Sequence, residues 1–125
     1  MKESKEPLAK FHARIDKDGR LIVPKYIRDT LRIEQGDYVK VIVRKIEINF
    51  PERVIYVSDQ RQVISKIGRK GAVYIPNEIR KQLNISADEL IEVILLDFYK
   101  SRVPDEDTQF RYVFLNEKHA LGVTS

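Results

Sequence analysis

From Phe11 to Asp16, apolar and polar residues alternate. Phe11, Ala13 and Ile15 therefore share one face, which predicts a half-buried strand. Lys17-Asp18-Gly19-Arg20 follows. Asp-Gly is a hairpin-turn signal because both positions accept positive φ, so Leu21-Ile22-Val23 is expected to return as a second strand. Pro24 stops that strand and suits the first turn of a helix, where its missing N–H is not needed. Lys25–Leu31 reads as a short helix with Ile27 and Leu31 on its buried side. Glu34-Gln35-Gly36-Asp37 is a turn. Tyr38–Ile48 is a long strand with Val39, Val41 and Val43 on one face, turned at Asn49-Phe50-Pro51-Glu52 into a return strand, Arg53–Ser58.

The same order then recurs. Val63–Ile67 reads as a strand, Gly68-Arg69-Lys70-Gly71 as a turn and Ala72–Ile75 as a strand. Pro76 opens a helix over Asn77–Leu83, with Asn84 suited to a left-handed cap. Leu90–Tyr99 is the long strand, and an acidic loop at Pro104–Thr108 precedes a last strand, Phe110–Asn116. The recurrence is a sequence repeat: residues 11–46 and 63–98 align without a gap at an offset of 52. Ile15/Ile67, Gly19/Gly71, Pro24/Pro76, Ile27/Ile79, Arg28/Arg80, Leu31/Leu83, Ile33/Ile85, Val41/Val93 and Ile42/Ile94 coincide. Each unit is too short to bury much core alone, and two packed together remove that difficulty. The expected organisation is a flexible tail over 1–10, repeats over 11–58 and 63–116, a short linker at Asp59–Gln62 and a C-terminal tail over 117–125. The two repeats are expected to be neighbours in space. The fold class is mainly β with two short helices.

Composition narrows the setting. With 42% hydrophobic and 34% charged residues among 125, the chain is expected to be a globular domain with a modest core. Its apolar runs are short and broken by charge, so no membrane span is expected. The polar N-terminus lacks a signal-peptide core, and there is no cysteine, so a cytoplasmic location is expected and thiolate metal sites are excluded. Abundant Ile, Val, Arg, Lys and Glu with no Cys point toward a thermophilic source. Charge distribution says more than the net +4. Residues 10–32 carry seven Lys/Arg against three Asp/Glu, and residues 62–84 carry five against one. Residues 85–125 carry four bases and eight acids. Positive charge thus sits on the first half of each repeat, as on a two-lobed anion-binding face.

The string at 19–39, G-R-L-I-V-P-K-Y-I-R-D-T-L-R-I-E-Q-G-D-Y-V, resembles the AbrB/SpoVT/MazE-like swapped-hairpin DNA-binding domains. So does G-R-K-G-A-V-Y-I-P-N-E-I-R-K-Q-L-N-I at 68–85. The resemblance implies a swapped-hairpin AbrB-like β-barrel, formed here as an intrachain pseudo-dimer of two ββαββ repeats. It also implies a DNA-facing surface on the first hairpin of each repeat: Arg14, Lys17 and Arg20, then Lys66, Arg69 and Lys70. Arg28 and Arg80 resemble further DNA-side residues, or else pair with a neighbouring carboxylate. Ile22 and Tyr74 occupy an outward position that some relatives fill with a base-reading side chain, and Tyr74 reads slightly more as a barrel-surface packing residue than as a base reader. Asp16 and Asp18 dilute the first hairpin's charge, and Ala72 stands where the first repeat has Arg20.

The implied function is a transcriptional regulator that contacts the major groove and phosphates of double-stranded DNA. The alternatives are the antitoxin of a toxin–antitoxin pair and an architectural, chromatin-like DNA-binding protein. A long acidic tail for blocking a toxin is not expected, since the chain ends about nine residues after its last strand. No catalytic constellation, cofactor motif or metal-ligand cluster is read; His12 and His119 are lone. Asp105-Glu106-Asp107 reads as a solvated loop. Phe110, Tyr112 and Phe114 share one face of the last strand and Val113 and Leu115 the other, so self-association or a protein partner is expected to cover one face.

Overall fold

The structure is a computed structural model that describes residues 2–4, 6–100 and 111–115. Eight strands and two short helices are formed among them. They are β1 (Lys2–Ser4), β2 (Ala9–Arg14), β3 (Arg20–Ile22), α1 (Lys25–Leu31), β4 (Tyr38–Asn49) and β5 (Val54–Lys66). A 3-10 turn at Arg69–Gly71 leads to β6 (Ala72–Tyr74), α2 (Asn77–Gln82), β7 (Leu90–Tyr99) and β8 (Tyr112–Phe114). Four strands form one sheet in the order β2-β7-β4-β5; β3 pairs with β6, and β1 pairs with β8. The protein is therefore mainly β with two short helices, and its ladders form open sheets rather than one closed ring.

The two units pair with each other more than with themselves. β2 pairs antiparallel with β7, Arg14 opposite Leu90, while the end of β5 pairs with β4, Lys66 opposite Tyr38. Each first strand thus lies on the other unit's long strand. Two further ladders are centred on repeat-equivalent residues, Leu21 opposite Val73 and Ile42 opposite Ile94. The core is shared accordingly. Of its fully packed residues, nine lie between Phe11 and Val43 and nine between Val63 and Phe98. Burying side chains of this kind stabilises by about 1.5–3 kcal/mol each, and neither unit owns a core without the other.

Several expectations change. β3 does not return on β2 as a hairpin partner; it crosses to β6. The Asp16–Arg20 turn redirects the chain because Asp16 Oδ1 accepts the backbone N–H of Asp18 (2.9 Å) and of Arg20 (2.8 Å). Asp59–Gln62, expected as a linker, lies inside the strand β5, and the register shift opposite Lys45/Ile46 of β4 leaves Ser58 as the extra residue beside it. Its polar composition suits a sheet edge rather than a linker. In the expected N-terminal tail, Lys2–Ser4 pairs with β8 and β2 already starts at Ala9. Phe110, the Pro104–Thr108 loop, His119 and the 117–125 tail lie outside the described residues.

Local signals hold well. Pro24 and Pro76 sit at the N-caps with φ of −52° and −53°. Asn84 is left-handed at φ 53°, and so is its equivalent Arg32 at φ 58°. Gly19 and Gly71 have φ of +84° and +79°, and a Cβ on either would collide with the guanidinium arm of Arg80 or Arg28 respectively. Gly19→Ala and Gly71→Ala should each destabilise by about 2–3 kcal/mol, from left-handed strain plus the displaced arginine. Urea unfolding monitored by circular dichroism measures this, and an unchanged midpoint would contradict the close approach.

Candidate nucleic-acid interface

The β3–β6 ribbon is three residues long on each side, and its inner residues, Leu21 and Val73, are buried. Alternation then turns Arg20, Ile22, Ala72 and Tyr74 outward. Arg20 lies opposite Tyr74 and Ile22 opposite Ala72. Ile22 and Tyr74 are about half exposed. The bend from β2 to β3 lies at one end of the ribbon and the Gly68–Gly71 turn at the other. Backbone bonds tie each turn to the opposite unit: Val23 N–H donates to Gly71 O (3.0 Å), and Ile75 N–H donates to Gly19 O (2.8 Å).

Exposed cations surround this ribbon. Lys17 lies on the first turn, and Arg69 and Lys70 on the second, where Lys70 adopts φ 57°. Lys66 is exposed at the end of β5. Arg14, at the end of β2, donates from Nη1 to Asp88 O (2.7 Å), which orients its guanidinium without neutralising it. Arg20 has Asp18 at 3.8 Å, an exposed pair of little energetic weight. Arg20 and Arg69 come from different repeats yet line one open groove of about 420 Å³ with Gly68 and Ala72. The sequence separation of these residues hid that neighbourhood; the offset of the repeat was the signal for it.

Arg28 and Arg80 are placed differently from the other cations. Each is half-buried and donates from Nε to a main-chain carbonyl at the end of its own preceding strand, Arg28 to Val23 O (2.9 Å) and Arg80 to Ile75 O (3.0 Å). Among the described residues neither is in an ion pair with a carboxylate. Each arm passes over the glycine of the opposite turn, and the Arg80 guanidinium also lies 5.8 Å from the Tyr74 ring. Their geometry is that of struts under the ribbon, and it fixes Tyr74.

Elsewhere the sheet carries a polar row that the sequence did not suggest. The register sets His12, Glu92, Arg44 and Gln60 side by side across all four strands. Glu92 is only 4% exposed and accepts Arg44 Nη1 at 3.0 Å, with His12 Nε2 at 3.2 Å and Lys10 Nζ at 3.6 Å. A buried carboxylate requires such partners. Among the described residues there is no group of three or more metal-ligating side chains, and no helix is long and apolar enough to cross a membrane.

Comparison with known proteins defines the class. The family described as "Antidote-toxin recognition MazE, bacterial antitoxin" matches residues 64–98, within the second repeat. The chain thus carries an AbrB/MazE-like domain, of a kind found in non-enzymatic DNA-binding or antitoxin proteins. The solution structure of PHS018 from Pyrococcus horikoshii is similar, with 34% identity and a TM-score of 0.63, over 78% of this chain and 99% of that one. The chain belongs to one family with PHS018. No curated protein matches.

Two outcomes test the local geometry. Arg28→Ala and Arg80→Ala should each cost about 1–2 kcal/mol of stability by orphaning a carbonyl and losing packing. A variant that loses ligand binding at unchanged stability would make the arginine a contact residue instead. The backbone N–H of Arg20, with further help from that of Asp18, holds the Asp16 carboxyl below its ordinary value of 3.8. The turn is therefore stabilised fully above that ordinary value and loses this contribution as pH falls through the lowered one. Amide protection factors at Asp18 and Arg20, with the intrinsic pH dependence of exchange divided out, should fall only under that acid condition, and Asp16→Ala should abolish this pH-dependent protection.

Proposed function

We propose that this chain is a DNA-binding transcriptional regulator built as an intrachain pseudo-dimer of the swapped-hairpin kind. Its halves are the repeats over 11–58 and 63–116, which together stand in for the barrel that two chains usually supply. One observation carries this reading: the same cation excess recurs on both repeats, and Arg20 and Arg69, one from each, line a single open groove at the cross-unit ribbon. A two-stranded ribbon fits the major groove, which is about 12 Å wide. Arg14, Lys17, Arg20, Lys66, Arg69 and Lys70 are assigned to phosphates and guanine edges. Tyr74 is assigned a base-edge contact from the ribbon's outer face. Arg28 and Arg80 are assigned an indirect part, holding the turns that present the others. Most of the affinity comes from phosphate contacts and is salt-dependent.

The MazE-type match favours one second reading, the antitoxin of a toxin–antitoxin pair, in which the same surface binds DNA and another face holds a toxin. An architectural protein that binds DNA without sequence choice shares the first reading's contacts and differs only in specificity.

Fluorescence anisotropy across a salt series separates these. Changing Arg14, Lys17, Arg69 and Lys70 together to Ala should weaken duplex binding at least about tenfold and reduce the salt slope by roughly 3–4. Unchanged affinity and slope would defeat the assignment. Equal affinity for bulk DNA and for genomic fragments selected by binding would favour the architectural role, and stoichiometric co-purification with a small protein from the native host would favour the antitoxin.

A further inference from the structure

β4 loses its partner β7 beyond Arg44, which is opposite Glu92. Among the described residues, only β5 lies beside it from Lys45 to Asn49. Residues 45–58 therefore project past the four-stranded sheet as a two-stranded arm. Ile46 is opposite Val57 and Ile48 opposite Ile55, so these four side chains share one face; Glu47 opposite Tyr56 lies on the other. Ile48, Ile55, Tyr56 and Val57 are all substantially exposed, and Phe50 at the tip is 77% exposed. Two-stranded ribbons are marginal in water on their own.

β5 is also the sheet's last strand, and among the described residues nothing pairs with its outer side. Its two halves treat that edge differently. Asp59-Gln60-Arg61-Gln62 guards it with charge: Arg61 lies 2.5 Å from Asp59 and also bonds Gln82. Val54-Ile55-Tyr56-Val57 has neither charge nor proline, and such an edge is a template for another strand.

We propose that Val54–Val57 pairs antiparallel with the same segment of a second copy of this chain, with Tyr56 on the two-fold axis. The segment is self-complementary in that register. Ile55 then faces Val57 of the second copy, and the apolar rows continue unbroken: Ile46, Val57, then Ile55 and Ile48 of the second copy. The arm is remote from the basic ribbon. Along β5, Val57 and Lys66 are about 30 Å apart at the usual strand rise. The pairing therefore adds a dimer interface without covering the cations, and it is independent of what they bind.

The absence of cysteine makes the register directly testable. The full chain of 14.7 kDa should sediment as a reversible dimer. Tyr56→Cys should cross-link to itself on mild oxidation, since directly opposed antiparallel residues lie at disulfide distance. Ile64→Cys should not, because its two copies would lie about 50 Å apart. Val57→Lys should weaken the dimer at least about tenfold by setting a charge into the apolar row, with circular dichroism verifying the fold. A monomer at all concentrations overturns the proposal. So does a dimer that cross-links in the Ile64→Cys variant but not in the Tyr56→Cys variant, or one indifferent to Val57→Lys. If Tyr56→Cys fails to fold, sedimentation of the Val57→Lys variant decides.

Discussion

Among the described residues, the first strand of each repeat has no strand partner within its own repeat. β2 needs β7, and the end of β5 needs β4. Everything else in the fold answers to that constraint. The ladders must run between the units, so the apolar faces meet in one shared core, and the short ribbon β3–β6 closes over it on residues that are equivalent in the repeat. The arginine–glycine contacts follow from the same geometry. Each turn is pressed against the other unit's helix, which leaves room for an arginine arm only where the turn has no Cβ.

Polar groups then fix the register that the apolar pattern leaves open. A slip of one residue would turn each strand's apolar set outward. It would also strand buried carboxylates. Asp37, 1% exposed, accepts the Glu34 N–H at 2.8 Å and pairs with Lys100; its equivalent Glu89 accepts the Ser86 N–H at 3.1 Å and has Lys45 Nζ at 2.6 Å. Reciprocal backbone bonds add to this: Ile15 is held by the Asp88–Glu89 turn and Ile67 by the Gly36–Asp37 turn. Glu92 stands apart, because its equivalent is Lys40. The row through His12, Arg44 and Gln60 therefore belongs to one side of the sheet alone.

Much of the fold was legible because it is written in local signals. Alternation marked β2 and β4, the repeat marked β7, proline marked the helix starts, and Asn84 marked a cap. The errors share one cause, which is pairing between residues distant in the chain. Asp-Gly promised a hairpin, yet the strands flanking it found better partners across the repeat. Asp59-Gln60-Arg61-Gln62 looked like a linker because a sheet edge and a linker both favour polar residues. For the candidate site, the exposed cations were readable one by one from composition. The strut geometry of Arg28 and Arg80 was not, since it depends on a carbonyl five residues back and a glycine in the other unit.

The divergence between the copies has a physical address. On the ribbon's inner face Leu21 and Val73 are buried at 1% and 0% exposure, and both are branched aliphatics of similar shape. Shrinking either would cost about 2–5 kcal/mol. On the outer face Arg20 stands where the second unit has Ala72, and Ile22 where it has Tyr74. Exchanges at exposed positions usually fall within about 0.5 kcal/mol of neutral. Packing therefore constrains the ribbon's inner residues while leaving its outer surface free to diverge. The result is a ribbon with an arginine and a tyrosine at one end and an isoleucine and an alanine at the other. The ribbon's outer surface is therefore directional, whereas two identical chains related by a true two-fold axis would present the same residues at both ends.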